Sequence, residues 1–80
     1  MVTRRQKQVS SLIQEELGDL LEKRVSDPRL DLVTITAVEV SPDLRQARVY
    51  VSTMGNQQEV MEGFNRAAGF LRRELASRLH

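Results

Sequence analysis

Apolar residues recur every three or four positions from Val9 to Leu21: Val9, Leu12, Ile13, Leu17, Leu20 and Leu21. That spacing gathers them into one stripe of an amphipathic helix. Thr3, followed three residues later by Gln6, has the form of a capping box and predicts the helix start. Pro28 predicts that the helix has ended, because proline disfavours helical geometry in the residue before it. Gly18 lies inside the stripe at a cost of about 1 kcal/mol relative to alanine. A close contact with another element is the expectation that would account for it.

The connector from Ser26 to Asp31 has turn chemistry throughout. Val33 to Val40 is rich in β-branched residues and predicts a strand. Its alternation slips, with Val33 and Ile35 on one parity and Val38 and Val40 on the other. Either a bulge sits near Ala37 or both faces are partly covered. Ser41-Pro42-Asp43-Leu44 supplies a turn. Beyond it Ala47, Val49 and Val51 alternate with Arg48, Tyr50 and Ser52, the pattern of a half-buried strand. Asn56 with Glu59 predicts a second helix start. From there Val60, Met61, Phe64, Ala67, Ala68, Leu71, Leu75 and Leu79 run at helical spacing. Gly69 interrupts that run, which fits either one long helix or two helices joined at a kink. The expected fold class is α+β, with helices on one face of an antiparallel hairpin. A two-stranded sheet is weak by itself, so a further strand is expected after residue 80.

Eighty residues predict one domain, residues 1–80, that buries only about 60% of its unfolded surface. There is no cysteine, hence no disulfide or thiolate metal site. No run approaches the roughly 20 apolar residues of a membrane span. A soluble, cytoplasmic, monomeric chain is the expectation. Net charge is only +1, but its distribution is uneven. Residues 1–7 carry +3, residues 8–65 carry −5, and residues 66–80 carry +3. Basic ends around an acidic middle fit a nucleic-acid binder with one cationic face; scattered solvated charge explains the numbers as well.

Catalysis finds little support. The single histidine, His80, is terminal, and the serines have no internal histidine to activate them. Glu15 with Glu16 and Asp27 with Asp31 read as solvated surface charge before they read as an acid/base pair. Asp27, Asp31 and Asp43 lack EF-hand spacing, and phosphate-loop glycine motifs are absent. The chain is expected not to be an enzyme and to need no cofactor, metal or small-molecule substrate.

The bases carry more. Arg4, Arg5 and Lys7 occupy the first turns of the first helix, where cations oppose the helix dipole. An external polyanion would account for them, and a solubilising terminus would do so equally. Arg66 and Arg73 share a helical face with Asn65 and Arg72 alongside. Glu62 with Arg66 and Glu74 with Arg78 are spaced to pair at i,i+4, which leaves Arg72 and Arg73 least compensated. Arginine outnumbers lysine ten to two, which suits forked phosphate contacts. With so few aromatics, contact to the backbone of structured RNA is favoured over base stacking. Tyr50 is the candidate stacking platform, although edge packing is the plainer reading.

Several stretches together resemble the ribosome-binding factor A family. They are the first helix beginning Arg4-Arg5, Asp27-Pro28-Arg29-Leu30, Val33-Thr34-Ile35-Thr36, Val40-Ser41-Pro42-Asp43-Leu44, Ala47-Arg48-Val49-Tyr50-Val51-Ser52 and Phe70-Leu71-Arg72-Arg73-Glu74-Leu75-Ala76. The resemblance implies a type II KH-like fold of α-β-β-α-α-β order, of which the last strand and a basic tail are lacking here. It also makes Ala67-Ala68-Gly69 a helix–kink–helix feature in place of the GxxG loop, and no GxxG occurs. By resemblance, the partner is the free small (30S) ribosomal subunit and its 16S rRNA. The role is late maturation and end-processing of that RNA, with importance for growth in the cold.

The expected RNA contacts are Arg4, Arg5, Lys7, Arg66, Arg72, Arg73 and Arg78, and folding must bring them to one face. The competing reading is a KH-like protein-interaction module docking through its acidic surface. A third, membrane-surface reading fits poorly, because the polar face of the first helix is largely acidic.

Overall fold

The computed structural model describes residues 2–79; Met1 and His80, the histidine weighed above as a catalytic group, lie outside the described residues. Four main elements follow one another: α1 (Arg4–Lys23), β1 (Val33–Val40), β2 (Ala47–Thr53) and α2 (Gln57–Arg78). A 3-10 turn at Pro28–Leu30 joins α1 to β1. The fold is α+β in the α-β-β-α order of a KH-like domain, and the two strands pair antiparallel.

Both helices start where their caps predict. The Gln6 N–H donates to Thr3 Oγ1 at 3.1 Å and the Thr3 N–H donates to Gln6 Oε1 at 2.9 Å, completing the capping box. The Glu59 N–H donates to Asn56 Oδ1 at 3.1 Å. The slipped alternation of β1 is a bulge. Ile35 pairs with Val51 and Ala37 with Tyr50, leaving Thr36 as the extra residue. The bulge restores the parity, so Ile35, Val38 and Val40 all turn toward the helices. Thr36 Oγ1 donates across to the Tyr50 carbonyl at 3.2 Å.

Two apolar clusters fill the interior. Ile13, Val38 and Val40 are packed by Val9, Leu44, Leu75 and Leu79. Leu17, Leu20 and Leu71 are packed by Val25, Phe64, Ala67 and Phe70. Leu12, a member of the predicted stripe, is exposed instead, and so is Met61.

One open reading of the last helical run and one expectation about a glycine are decided here. The final helical run is a single helix: Ala67, Ala68 and Gly69 all lie within it, and it does not divide into two elements there. Its apolar positions on both sides of Gly69 meet the same partner, α1, so continuous packing favours a continuous helix. Gly18 has no close neighbour, for a Cβ built there meets nothing within 4 Å. The glycine that does accept a close approach is Gly63, where a Cβ would stand 3.0 Å from Leu30 Cδ2 and 3.1 Å from Leu30 Cγ. Leu30 is buried, so it has little room to yield. Gly63→Val is therefore expected to destabilise by about 1–3 kcal/mol through overpacking. Gly18→Ala, in open space, is expected to stabilise by about 1 kcal/mol. Urea denaturation of the two variants should give opposite signs; a neutral Gly63→Val would disprove the tight contact.

Candidate nucleic-acid interface

The hairpin turn is closely tied by its own polar groups. Ser41 Oγ donates to Asp43 Oδ1 at 2.6 Å, and the Arg45 N–H donates to the same oxygen at 3.1 Å. The Gln46 N–H donates to Ser41 Oγ at 3.1 Å, and the Ser41 N–H returns a bond to the Gln46 carbonyl at 2.9 Å. These bonds hold Leu44 at φ 61°, a left-handed conformation unfavourable for leucine. Its side chain packs on the cluster of Ile13, Val38 and Val40, which offsets that cost. With Leu44 facing inward, Arg45 is turned out to solvent.

A groove runs between this turn and α2, and Arg45, Arg48 and Arg72 line it. Glu39 also lines it and is the cross-strand partner of Arg48. No ion pair joins any of the three arginines to an acid among the described residues. Arg48 holds its proton more tightly than usual because the Tyr50 hydroxyl, and then the charge of Glu39, lie beside it.

The two basic ends of the chain approach the same turn. Gln6, buried in the first turn of α1, donates its Nε2 to the Val40 carbonyl at 2.9 Å. This bond fixes the start of α1 beside the end of β1. Lys7 lines one groove with Val38, Glu39 and Val40, and Arg72 lines another that also includes Glu39 and Val40. Arg4 and Arg5 are exposed on the same turns of α1, and Arg73 is exposed on α2. Arg66 lies apart, close enough to Asp27 by the 3-10 turn to lower that carboxyl's pKa.

Arg78 is withdrawn from any free cationic surface. Its Nη1 donates to Glu16 Oε2 at 2.7 Å and to Asp19 Oδ2 at 3.2 Å, joining α2 to α1. The i,i+4 pairs expected for Glu62 and Glu74 give way to partners from elsewhere. Arg29 reaches Glu62 at 3.6 Å, and Arg24 reaches Glu74 at 3.4 Å while lying over the Phe70 ring. Helix-to-helix register, which local spacing does not encode, decides these pairings. The result leaves Arg66 as well as Arg72 and Arg73 without a paired acid among the described residues.

Three carboxylates titrate below their ordinary 3.8. Lys23 and then Arg78 hold Asp19 down, Arg29 holds Asp27 down, and the Ser41 hydroxyl with the Arg45 N–H holds Asp43 down. A depressed carboxyl contributes stability that is whole above the unfolded value and lost as pH falls through the folded value. Thermal midpoints should therefore stay level down to about pH 4 and decline below it. Asp27→Asn should flatten part of that decline; an unchanged acid limb would rule out a role for the Arg29 pair.

Sequence reasoning missed Arg45 and Arg48 as members of this surface. The available signal was their position just after Ser41-Pro42-Asp43-Leu44, since a turn that buries its leucine must expose the next residue. No helix among the described residues is long and apolar enough to cross a membrane.

Comparison with known proteins agrees with this architecture. The family model for ribosome-binding factor A matches residues 5–80. Ribosome-binding factor A of Coxiella burnetii (strain Dugway 5J108-111) is 46% identical over 77 residues, covering 94% of this chain and 65% of the relative. That of Dechloromonas aromatica (strain RCB) is 41% identical over 78 residues, covering 95% and 63%. The chain thus spans somewhat less than two thirds of the length of these relatives. The crystal structure of ribosome-binding factor A from Thermus thermophilus superposes with a TM-score of 0.87 at 27% identity, covering 94% of this chain and 82% of that one. A Thermotoga maritima protein solved by NMR gives 0.82 at 38% identity, covering 96% and 76%. With the sequence match extending over nearly the whole chain and the fold shared, this chain belongs to the ribosome-binding factor A family.

Proposed function

We propose that this chain is a single, non-catalytic RNA-binding domain of a cytoplasmic ribosome-assembly factor. It docks on the free small (30S) subunit and supports late maturation and processing of 16S rRNA. The relatives are named for ribosome binding, and ribosomal RNA is the polyanion that a ribosome presents. The observation that supports the reading is that the groove lined by Lys7 and the groove lined by Arg72 both border Glu39 and Val40 at the end of β1. On this reading the basic start of α1 and the basic half of α2, far apart along the chain, flank the same end of β1. Arg4, Arg5, Lys7, Arg72 and Arg73 contact RNA phosphates, and Arg66 makes a weaker, peripheral contribution. Arg78 works inside the fold.

The competing acidic-surface module loses support from the ion pairs. Glu16, Asp19, Asp27, Glu62 and Glu74 are each already engaged by a base of the same chain. Co-sedimentation with purified free small subunits tests the proposal. The wild-type chain should pellet with them, and an Arg72→Ala, Arg73→Ala double change should leave most of it in the supernatant. Equal pelleting of both forms would count against the phosphate mechanism.

A further inference from the structure

We propose that the groove between the hairpin turn and α2 seats one RNA phosphodiester, gripped by Arg45, Arg48 and Arg72. The inference rests on the RNA-binding reading above and deepens it by naming the anchoring point. Three features single this groove out from the rest of the cationic surface.

The first is convergence: arginines from the hairpin turn, from β2 and from α2, the last more than 20 residues beyond the other two, line one concave site. A single phosphate has enough oxygen atoms to accept from several forked donors at once. The second is availability. Arg24, Arg29 and Arg78 are each engaged by acids, whereas Arg45, Arg48 and Arg72 are paired with none among the described residues. Glu39 is the one acid facing them, and Asp43 is held instead by Ser41 and the Arg45 N–H. The third is rigidity. Leu44, half-buried against the core in its left-handed conformation, and the Arg45 N–H bonded to Asp43 set the backbone at Arg45 before any ligand arrives. A cation on a fixed turn loses less freedom on binding than one on a loose loop.

Outside the groove, Tyr50 shares the outer face of the sheet with Arg48, two residues along the strand, and is exposed. A nucleotide whose phosphate sits on Arg48 thus has an aromatic surface within reach of its base. An acidic protein segment would match the charge but not the forked geometry, and the test separates the two.

The full chain is titrated into a 16S rRNA transcript, followed by anisotropy across a range of salt. Arg45→Ala, Arg48→Ala and Arg72→Ala should each weaken binding about tenfold and lower the salt slope by about 1. Lys23→Ala, an exposed cation at the end of α1 outside the groove, should change affinity less than about twofold. Arg72→Lys keeps the charge without the fork and should fall between wild type and alanine. A polyglutamate peptide of equal charge should compete poorly. Wild-type binding with Arg45→Ala and Arg48→Ala no weaker than Lys23→Ala would overturn the groove while leaving RNA binding intact. So would equal competition by polyglutamate. Failure of the wild-type chain to bind the transcript at all would overturn the RNA reading and the groove together.

Discussion

Leu20→Ala is expected to cost about 3–5 kcal/mol, at the upper end of leucine truncations. Leu20 is fully buried, with no exposed surface at all, between Leu17 and Leu71 and the rings around them. Its removal takes away the transfer energy of the lost carbons and leaves a cavity that two packed helices cannot readily close. A domain of this length has a total stability of only about 4–12 kcal/mol. The same substitution at Leu12, exposed on the same helix, should cost less than about 0.5 kcal/mol. Urea denaturation distinguishes the two directly: at a slope near 1 kcal/mol per molar for so small a protein, Leu20→Ala should move the midpoint by about 3 M or abolish the folded baseline. A shift below about 1 M would mean that the cluster between the helices is not the centre of the core.

Binding to the small subunit should weaken by about 250-fold between roughly 50 and 200 mM monovalent salt. The number of phosphate contacts sets this magnitude. If five cations of the set Arg4, Arg5, Lys7, Arg72, Arg73, Arg45 and Arg48 each neutralise one phosphate, counterion release gives a log–log slope near −4. Net charge alone cannot produce this, since the whole chain carries only +1. A slope of that size requires the cations to be local and the acids to be engaged elsewhere, as the pairing of Glu16 and Asp19 with Arg78 and of Glu74 with Arg24 arranges. Sedimentation of the chain with free subunits at several salt concentrations measures it. A slope shallower than about −1 would exclude phosphate contact as the source of affinity.

Much of the fold was legible in the sequence because its signals are local. The Thr3–Gln6 box, the Asn56 cap and the slip of alternation that became the Thr36 bulge each depend on residues within a few positions of one another. The site was less legible because its members come from distant stretches. Spacing on α2 suggested that Glu74 would meet Arg78, whereas the crossing of the helices sends Arg78 to Glu16 and Glu74 to Arg24. Arg45 and Arg48 were overlooked for a different reason. The turn marks Arg45 and strand alternation marks Arg48 as outward, but neither says that the second helix returns to the same groove. Ala67-Ala68-Gly69, where family resemblance implied a kink, lies within one helix whose stripe on either side stays in contact with one partner.

Gln6 combines two jobs usually given to separate residues, since one oxygen closes the helix cap and the neighbouring nitrogen holds the last carbonyl of β1. The first turn of α1 therefore cannot fray without also releasing the end of the sheet. Amide protons at the cap and at the close of the hairpin should exchange with solvent at a common rate, as one opening unit. For an RNA partner, the cations on either side of that joint arrive as a single rigid body.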